Sequence, residues 1–216
     1  MIIEKVSEER WKEAQRYELN FWKPHIQTNP KETWKNFEPY FKSYFHEFFN
    51  QNWEGKTVLE IGVGASGAMW LTNATRKIGV EPLANALLQI NPELYKGYEM
   101  ISHGAEALPE VQDAIVDAVM SFNAIDHCQS VPAIMAEIKR ILKPGGQLAV
   151  GCDLKSQPSH LDDGHPIALS GEWFAKWLDE NGFAFKKMDV FKSRNFDLVT
   201  GKDNLDGCLF FIGEKK

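Results

Sequence analysis

The stretch Val58-Leu59-Glu60-Ile61-Gly62-Val63-Gly64-Ala65-Ser66-Gly67-Ala68 narrows what this chain can fold into more than any other. Its first four residues are apolar apart from Glu60, with Val58 and Ile61 β-branched, as in a short buried strand. Glycines then fall at 62, 64 and 67. Without a Cβ, such a loop can turn sharply and bring its backbone close to a ligand. About twenty residues beyond the first glycine, Ile78-Gly79-Val80-Glu81 reads as a second short strand ending in an acid. Strand, glycine loop, crossover and second strand ending in a carboxylate make a nucleotide-binding half-unit. The carboxylate suits a pair of ribose hydroxyls, because a charged acceptor binds a donor more strongly than a neutral one.

Gly62, Gly64 and Gly67 also satisfy the dinucleotide pattern G-x-G-x-x-G. Glu60 argues for a different ligand. It stands two residues before the first glycine, where a pyrophosphate would be repelled by a carboxylate. S-adenosylmethionine has no phosphate and carries a sulfonium and an ammonium, which a carboxylate favours.

The 216 residues suit one domain, residues 1–216, with a helical N-terminal segment over 1–53 and an α/β core over 54–216. A net charge of -6 without a long basic run argues against a broad nucleic-acid or membrane surface. Cys128, Cys152 and Cys208 are odd in number, widely spaced and lack zinc spacing, which suits a reducing, cytoplasmic setting. The start of the chain has no apolar signal core, and no apolar run approaches membrane-spanning length.

Trp11, Ala14, Tyr17 and Phe21 recur at helical spacing, so a helix is expected from Ser7 to Trp22, interrupted at Pro24. Trp34, Phe37, Phe41, Phe45 and Phe48 suggest further helix. This aromatic segment either packs on the sheet edge or folds over the cofactor pocket as a lid, and both can hold for different residues. Further on, Pro82 to Leu88 reads as a short helix, Tyr98 to Ser102 and Asp117 to Phe122 as strands, and Pro132 to Leu142 as an amphipathic helix. Lys143-Pro144-Gly145-Gly146 forms a turn and Gln147 to Cys152 a strand. Ser170 caps a helix closed by Asn181-Gly182, and Phe183–Phe191 and Cys208–Gly213 are the last strands. Alternating strands and helices define an α/β protein with a mostly parallel sheet.

Five segments in order then resemble the class I S-adenosylmethionine-dependent methyltransferases: the EIGVGASG loop, the GVEP strand end, the AEALP loop, the DAVMSFNAIDH strand and loop, and the EIKRILKPGG helix and turn. The resemblance covers about residues 56–190. It implies a Rossmann-like, seven-stranded, mostly parallel sheet in the order 3-2-1-4-5-7-6, strand 7 antiparallel, with helices on both faces. It implies S-adenosyl-L-methionine as cofactor. On this resemblance Glu60, Gly62 and Gly64 would line its methionine part, and Glu81 would bind the ribose hydroxyls. Pro82 would pack on the adenine, Ala105 and Glu106 would lie at the adenine edge, and Phe122 and Asn123 would face the methionine or the methyl group. The sequence departs from the family in two ways: only about ten residues separate Gly67 from the next strand, and Glu81 stands where many relatives have Asp.

The acceptor is less constrained. No Asn-Pro-Pro-Tyr type motif follows strand four and no paired-cysteine motif occurs, so a small molecule is expected rather than nucleic acid. The pattern around Trp11, Gln15, Glu18 and Trp22 is similar to stretches in bacterial enzymes that methylate sugars, which points to a hydroxyl. A hydroxyl acceptor needs a base, imidazole is the side chain whose ordinary titration lies near neutral pH, and His127 and His165, near expected carboxyl ends of strands, are the candidates. Asp126 and Asp163 lie beside them, but adjacency in sequence gives no ligand set, and no metal is expected. A non-catalytic cofactor-binding partner protein and an NAD-dependent oxidoreductase remain as alternatives.

Overall fold

The structure is a computed structural model that describes residues 2–26, 39, 43–65, 67–155, 161–191 and 207–216. Ser66, and the expected helical pattern through Trp34, Phe37 and Phe41, lie outside the described residues.

Helix α1 spans Glu8–Ile26. The Ser7 hydroxyl accepts the Arg10 N–H at 3.2 Å, satisfying one of the donors a helix start leaves open. The helix does not stop at Pro24 as its sequence suggests; the ring sits in the last turn. There a proline removes one intrahelical hydrogen bond and has little helix beyond it to disrupt. Helix α2 is the single turn His46–Phe49.

Seven strands then form one sheet in the order β3-β2-β1-β4-β5-β7-β6. They are β1 Thr57–Ile61, β2 Arg76–Val80, β3 Glu99–Ile101, β4 Val116–Phe122, β5 Leu142–Leu154, β6 Phe183–Phe191 and β7 Gly207–Lys215. β1 pairs in parallel with β2 and β4, β2 with β3, and β4 with β5. β7 runs antiparallel between β5 and β6. Helices α3 Ala84–Ile90, α4 Val131–Ile141 and α5 Gly171–Glu180 connect them. In place of a long helix after the glycine loop stands a 3-10 turn, Met69–Leu71, as the short spacing requires. Ser170 caps α5, its hydroxyl accepting from the Trp173 N–H, and Gly182 follows at φ +78°.

β5 starts at Leu142, well before the expected Gln147, so the Lys143–Gly146 turn is drawn into the strand as an irregularity. Val116 pairs with Leu142, and the next paired residue, Ala118, faces Gln147. Gly145 turns there at φ +73°.

The sheet is buried on both faces, as parallel sheets are. One cluster packs Leu59, Ile61 and Val119 beneath Ile134, Ile138 and Ile141 of α4 and Phe174 of α5. The other packs Val58, Ala118, Met120 and Phe122 against Phe45, Phe48, Trp53, Met69 and Leu87. The strand order reverses between β1 and β4. Ligands of open α/β sheets bind outside the carboxyl ends of the strands at such a reversal.

Candidate functional site

A cavity of about 760 Å³ opens at that point. Its floor is the carboxyl ends of β1, β2, β4 and β5, and one wall is the inner face of α1, including Trp11, Gln15, Glu18 and Trp22. The helix therefore covers the crevice, as the lid reading of the N-terminal segment anticipates.

Gly62 and Gly64 line the cavity in the left-handed region, at φ +75° and +55°. A Cβ on Gly62 would lie 2.1 Å from the Ala124 Cβ, and one on Gly64 3.0 Å from the Trp22 ring. Both positions therefore require glycine for conformation and for space. The loop is tied to its surroundings on both sides. The Gly64 N–H donates to Glu81 Oε2 at 2.8 Å, and the Tyr95 hydroxyl donates to the Gly64 carbonyl at 2.6 Å.

Glu81 is buried just past β2 and lines the cavity. Its second oxygen accepts the Leu83 N–H at 2.9 Å. Burial pushes its pKa up, against those two backbone bonds. Pro82, Ala105, Glu106, Phe122 and Asn123 also line the cavity. Asn123 holds a left-handed φ of +54°, and its N–H donates to Gly151 across the strand ends. Glu106 has a structural task besides: Oε1 accepts the Gln129 and Ser130 N–H groups at 2.7 and 3.1 Å, just ahead of α4.

Glu60 departs from the expectation that it lines the cavity. Side chains alternate along a strand, and while Ile61 lines the cavity, Glu60 turns behind the loop. Its carboxyl accepts the Ala68 N–H at 2.7 Å and the Met69 N–H at 3.0 Å. Burial, with Glu81 adding to it, pushes its pKa up to about 8 against those backbone donors. Glu60 thus shapes the loop from behind.

Along the same cavity the fold brings together residues far apart in sequence. His127 lies in a 3-10 turn after β4, Ile125–His127. His165 lies in the loop after β5, and the two rings are 4.2 Å apart between centroids. His127 Nδ1 is 2.8 Å from the Gly164 carbonyl, and His165 Nδ1 2.7 Å from Asp162 Oδ1. Both partners are acceptors, so each Nδ1 carries a proton, and in the neutral ring each Nε2 then presents a lone pair. Those Nε2 atoms lie 3.6 and 3.7 Å from Asp126 Oδ2. Asp126 is 1% exposed, and among the described residues neither of its oxygens has a hydrogen-bond donor.

The loop carrying His165 is clamped from α1. The Arg10 guanidinium donates to the carbonyls of Asp162 and Asp163, and Asp162 Oδ2 accepts from Lys155 at 2.8 Å. Burial opposes protonation of His165, yet Asp162 and Asp126 hold its pKa above the usual range. Glu18, with Oε1 3.3 Å from His127 Nδ1, has its pKa raised by burial. Asp153, 3.9 Å from His165 Nε2, is raised by burial and by Asp126. Tyr95 and Asp153 went unnoticed in the sequence because nothing local sets them apart from ordinary surface or core residues.

Comparison with known proteins agrees with this geometry. A methyltransferase domain family matches residues 59–150. The chain is 31% identical over 141 residues to ubiquinone biosynthesis O-methyltransferase of Pseudomonas putida, covering 62% of this chain and 58% of that protein. It is 30% identical over 106 residues to tRNA U34 carboxymethyltransferase of Pseudoalteromonas translucida, covering 45% and 32%. Among solved structures, geranyl diphosphate C-methyltransferase of Streptomyces coelicolor superposes with a TM-score of 0.66 at 15% identity, over 83% of this chain and 76% of that one. Residues 59–150 therefore match a methyltransferase domain, and the fold is that of the solved methyltransferase. The chain spans about a third to three-fifths of the length of these two curated relatives. Among the described residues, no helix is long and apolar enough to cross a membrane.

Proposed function

We propose that the protein transfers the methyl group of S-adenosylmethionine to a hydroxyl of a small molecule, a sugar or related metabolite. One observation carries this reading: a single cavity is lined by the glycine loop, Glu81, His127 and His165 together. The methyltransferase-domain match over residues 59–150 and the fit of the loop support the cofactor. Gly62 and Gly64 present bare backbone, and Glu81 keeps acceptor capacity beyond its two backbone bonds, since a carboxylate offers about four lone-pair positions.

The cofactor supplies an already activated methyl group on a sulfonium, so the protein's task is alignment and exclusion of water. Glu81 would hold the ribose hydroxyls, with Pro82 and Ala105 flanking the adenine. Phe122 and Asn123, at the end of β4, would border the reacting methyl. As the new C–O bond forms and the C–S bond breaks, the acceptor hydroxyl must lose its proton. His127 and His165 are the groups at the acceptor end that would govern that loss.

Calorimetry with S-adenosylhomocysteine and with NAD tests the cofactor reading: the first is expected to bind and the second not. A screen that follows S-adenosylhomocysteine release with hydroxylated metabolites and with unmodified tRNA then tests the acceptor. One of the relatives is named for tRNA. Turnover on tRNA alone would overturn the small-molecule reading.

A further inference from the structure

Asp126, His127 and His165 form an arrangement that side chains alone leave unbalanced. Two imidazole Nε2 atoms face one carboxylate, and each ring's Nδ1 proton is taken elsewhere, by Gly164 O and by Asp162. At 3.6 and 3.7 Å the His–Asp126 separations are too long for hydrogen bonds. The Asp126 carboxylate is buried with both oxygens unpartnered among the described residues, a state that is costly without a counter-charge. Asp153 and Glu18 add further acidic groups around the histidines. Lys155, a buried nearby cation, is engaged by Asp162.

The geometry points to a divalent transition-metal site formed by Asp126, His127 Nε2 and His165 Nε2, open to the acceptor end of the cavity. The three ligand atoms lie within 4.8 Å of one another. Ligands held at about 2.0–2.1 Å around a tetrahedral ion stand about 3.4 Å apart, so the 3.6 and 3.7 Å separations need only a small contraction. Two imidazoles and one carboxylate are a set suited to zinc or ferrous iron with open positions left for water or substrate. The outer contacts also fit. A metal-bound imidazole characteristically donates its other N–H to a carbonyl or carboxylate, and here Gly164 O and Asp162 take those two protons.

What the ion does rests on the methyl-transfer reading. A hydroxyl bound to it becomes more acidic. Its proton then leaves to solvent while both imidazoles hold the ion. This replaces the expectation, drawn from sequence spacing, that no ligand set exists. The residues separated by the whole of β5 meet only in the fold.

The test is a titration of the metal-free full chain with Co²⁺, followed by visible absorption, with Zn²⁺ as competitor and S-adenosylhomocysteine binding measured in parallel. One Co²⁺ per chain, displaced by Zn²⁺, is expected. Asp126→Asn and His165→Ala should each weaken it by about tenfold or more while cofactor-product affinity stays within about twofold. His165 lies at the cavity rim, so His165→Ala keeps the test decisive if the buried Asp126→Asn variant fails to fold. Absence of stoichiometric Co²⁺ binding, or binding unchanged in His165→Ala, overturns the site even if S-adenosylhomocysteine binds normally. Co²⁺ binding without S-adenosylhomocysteine binding supports the site and overturns only the methyl-transfer reading.

Discussion

Glu81 Oε2 accepts the Gly64 N–H at 2.8 Å, so the acid that ends the second strand also fixes the glycine loop that ends the first. Two features seventeen residues apart in sequence are therefore one mechanical unit. Glu81→Ala should cost more than the ribose contacts alone, because Gly64 and Leu83 lose their acceptor as well. Charge-assisted hydrogen bonds are worth about 1.5–3 kcal/mol each. With partial replacement by water, S-adenosylhomocysteine affinity is expected to fall about tenfold or more, as read by calorimetry. An unchanged affinity in a folded variant would remove Glu81 from the site.

The glycines make a second prediction with an internal control. Gly62 and Gly55 have nearly the same φ, +75° and +74°, but different surroundings. A Cβ on Gly62 meets Ala124 at 2.1 Å, whereas one on Gly55 meets nothing within 4 Å. Gly55→Ala should lose only the left-handed penalty, about 1–2 kcal/mol. Gly62→Ala adds overpacking of about 1–3 kcal/mol. Urea unfolding should rank Gly62→Ala as clearly the less stable; equal losses would mean that the Ala124 contact relaxes freely.

The features of the site that were legible in sequence are those carried by local backbone. Glycine spacing, strand ends and turn residues act on their own neighbours, so Gly62, Gly64, Glu81 and the Ser170 cap stand where their pattern implies. Glu60 was misjudged because strand alternation, not position near the loop, decides which way a side chain turns. Pro24 was misjudged because a proline in a last turn costs little. That His127 and His165 would both lie by the carboxyl ends of the strands was legible, but that Asp126 joins them as one cluster was not. It depends on how the loop after β5 folds back, and that path is set by Arg10 from α1, more than 150 residues away.

Glu60 gives a pH-dependent prediction. Its pKa is near 8 in the folded protein against a usual 4.5. Between those values the native state binds more protons than the unfolded state, so stability falls as pH rises. The contribution is fully present below pH 4.5 and is lost as pH passes through 8. The raised pKa values of Glu18 and Glu81 act in the same direction. Glu60→Gln removes one such group. An amide nitrogen near the Ala68 N–H lowers absolute stability, but independently of pH. The slope of unfolding free energy against pH between 5 and 8 should therefore become flatter by up to about 1.4 kcal/mol per pH unit. Parallel curves for the two proteins would show that Glu60 is ionised throughout.

On the proposed reading, His127 and His165 serve the acceptor and not the cofactor. Both rings line the cavity, and their Nε2 atoms face the same carboxylate, Asp126, which holds neither Glu81 nor the glycine loop. His127→Ala should lower turnover by about a hundredfold or more, with S-adenosylhomocysteine affinity nearly unchanged. His165→Ala should do the same, because either loss leaves Asp126 with one imidazole. The double variant should then be little worse than either single one, since groups that act as a unit are far from additive. His127 is tied to a core strand end and His165 to a loop clamped by Arg10, so Arg10→Ala should reproduce part of the His165→Ala loss and leave His127 in place. Steady-state kinetics with an identified acceptor decide the matter. Additive losses in the double variant would mean that the two histidines serve separate steps, and full activity in both single variants would mean that the acceptor needs no help in losing its proton.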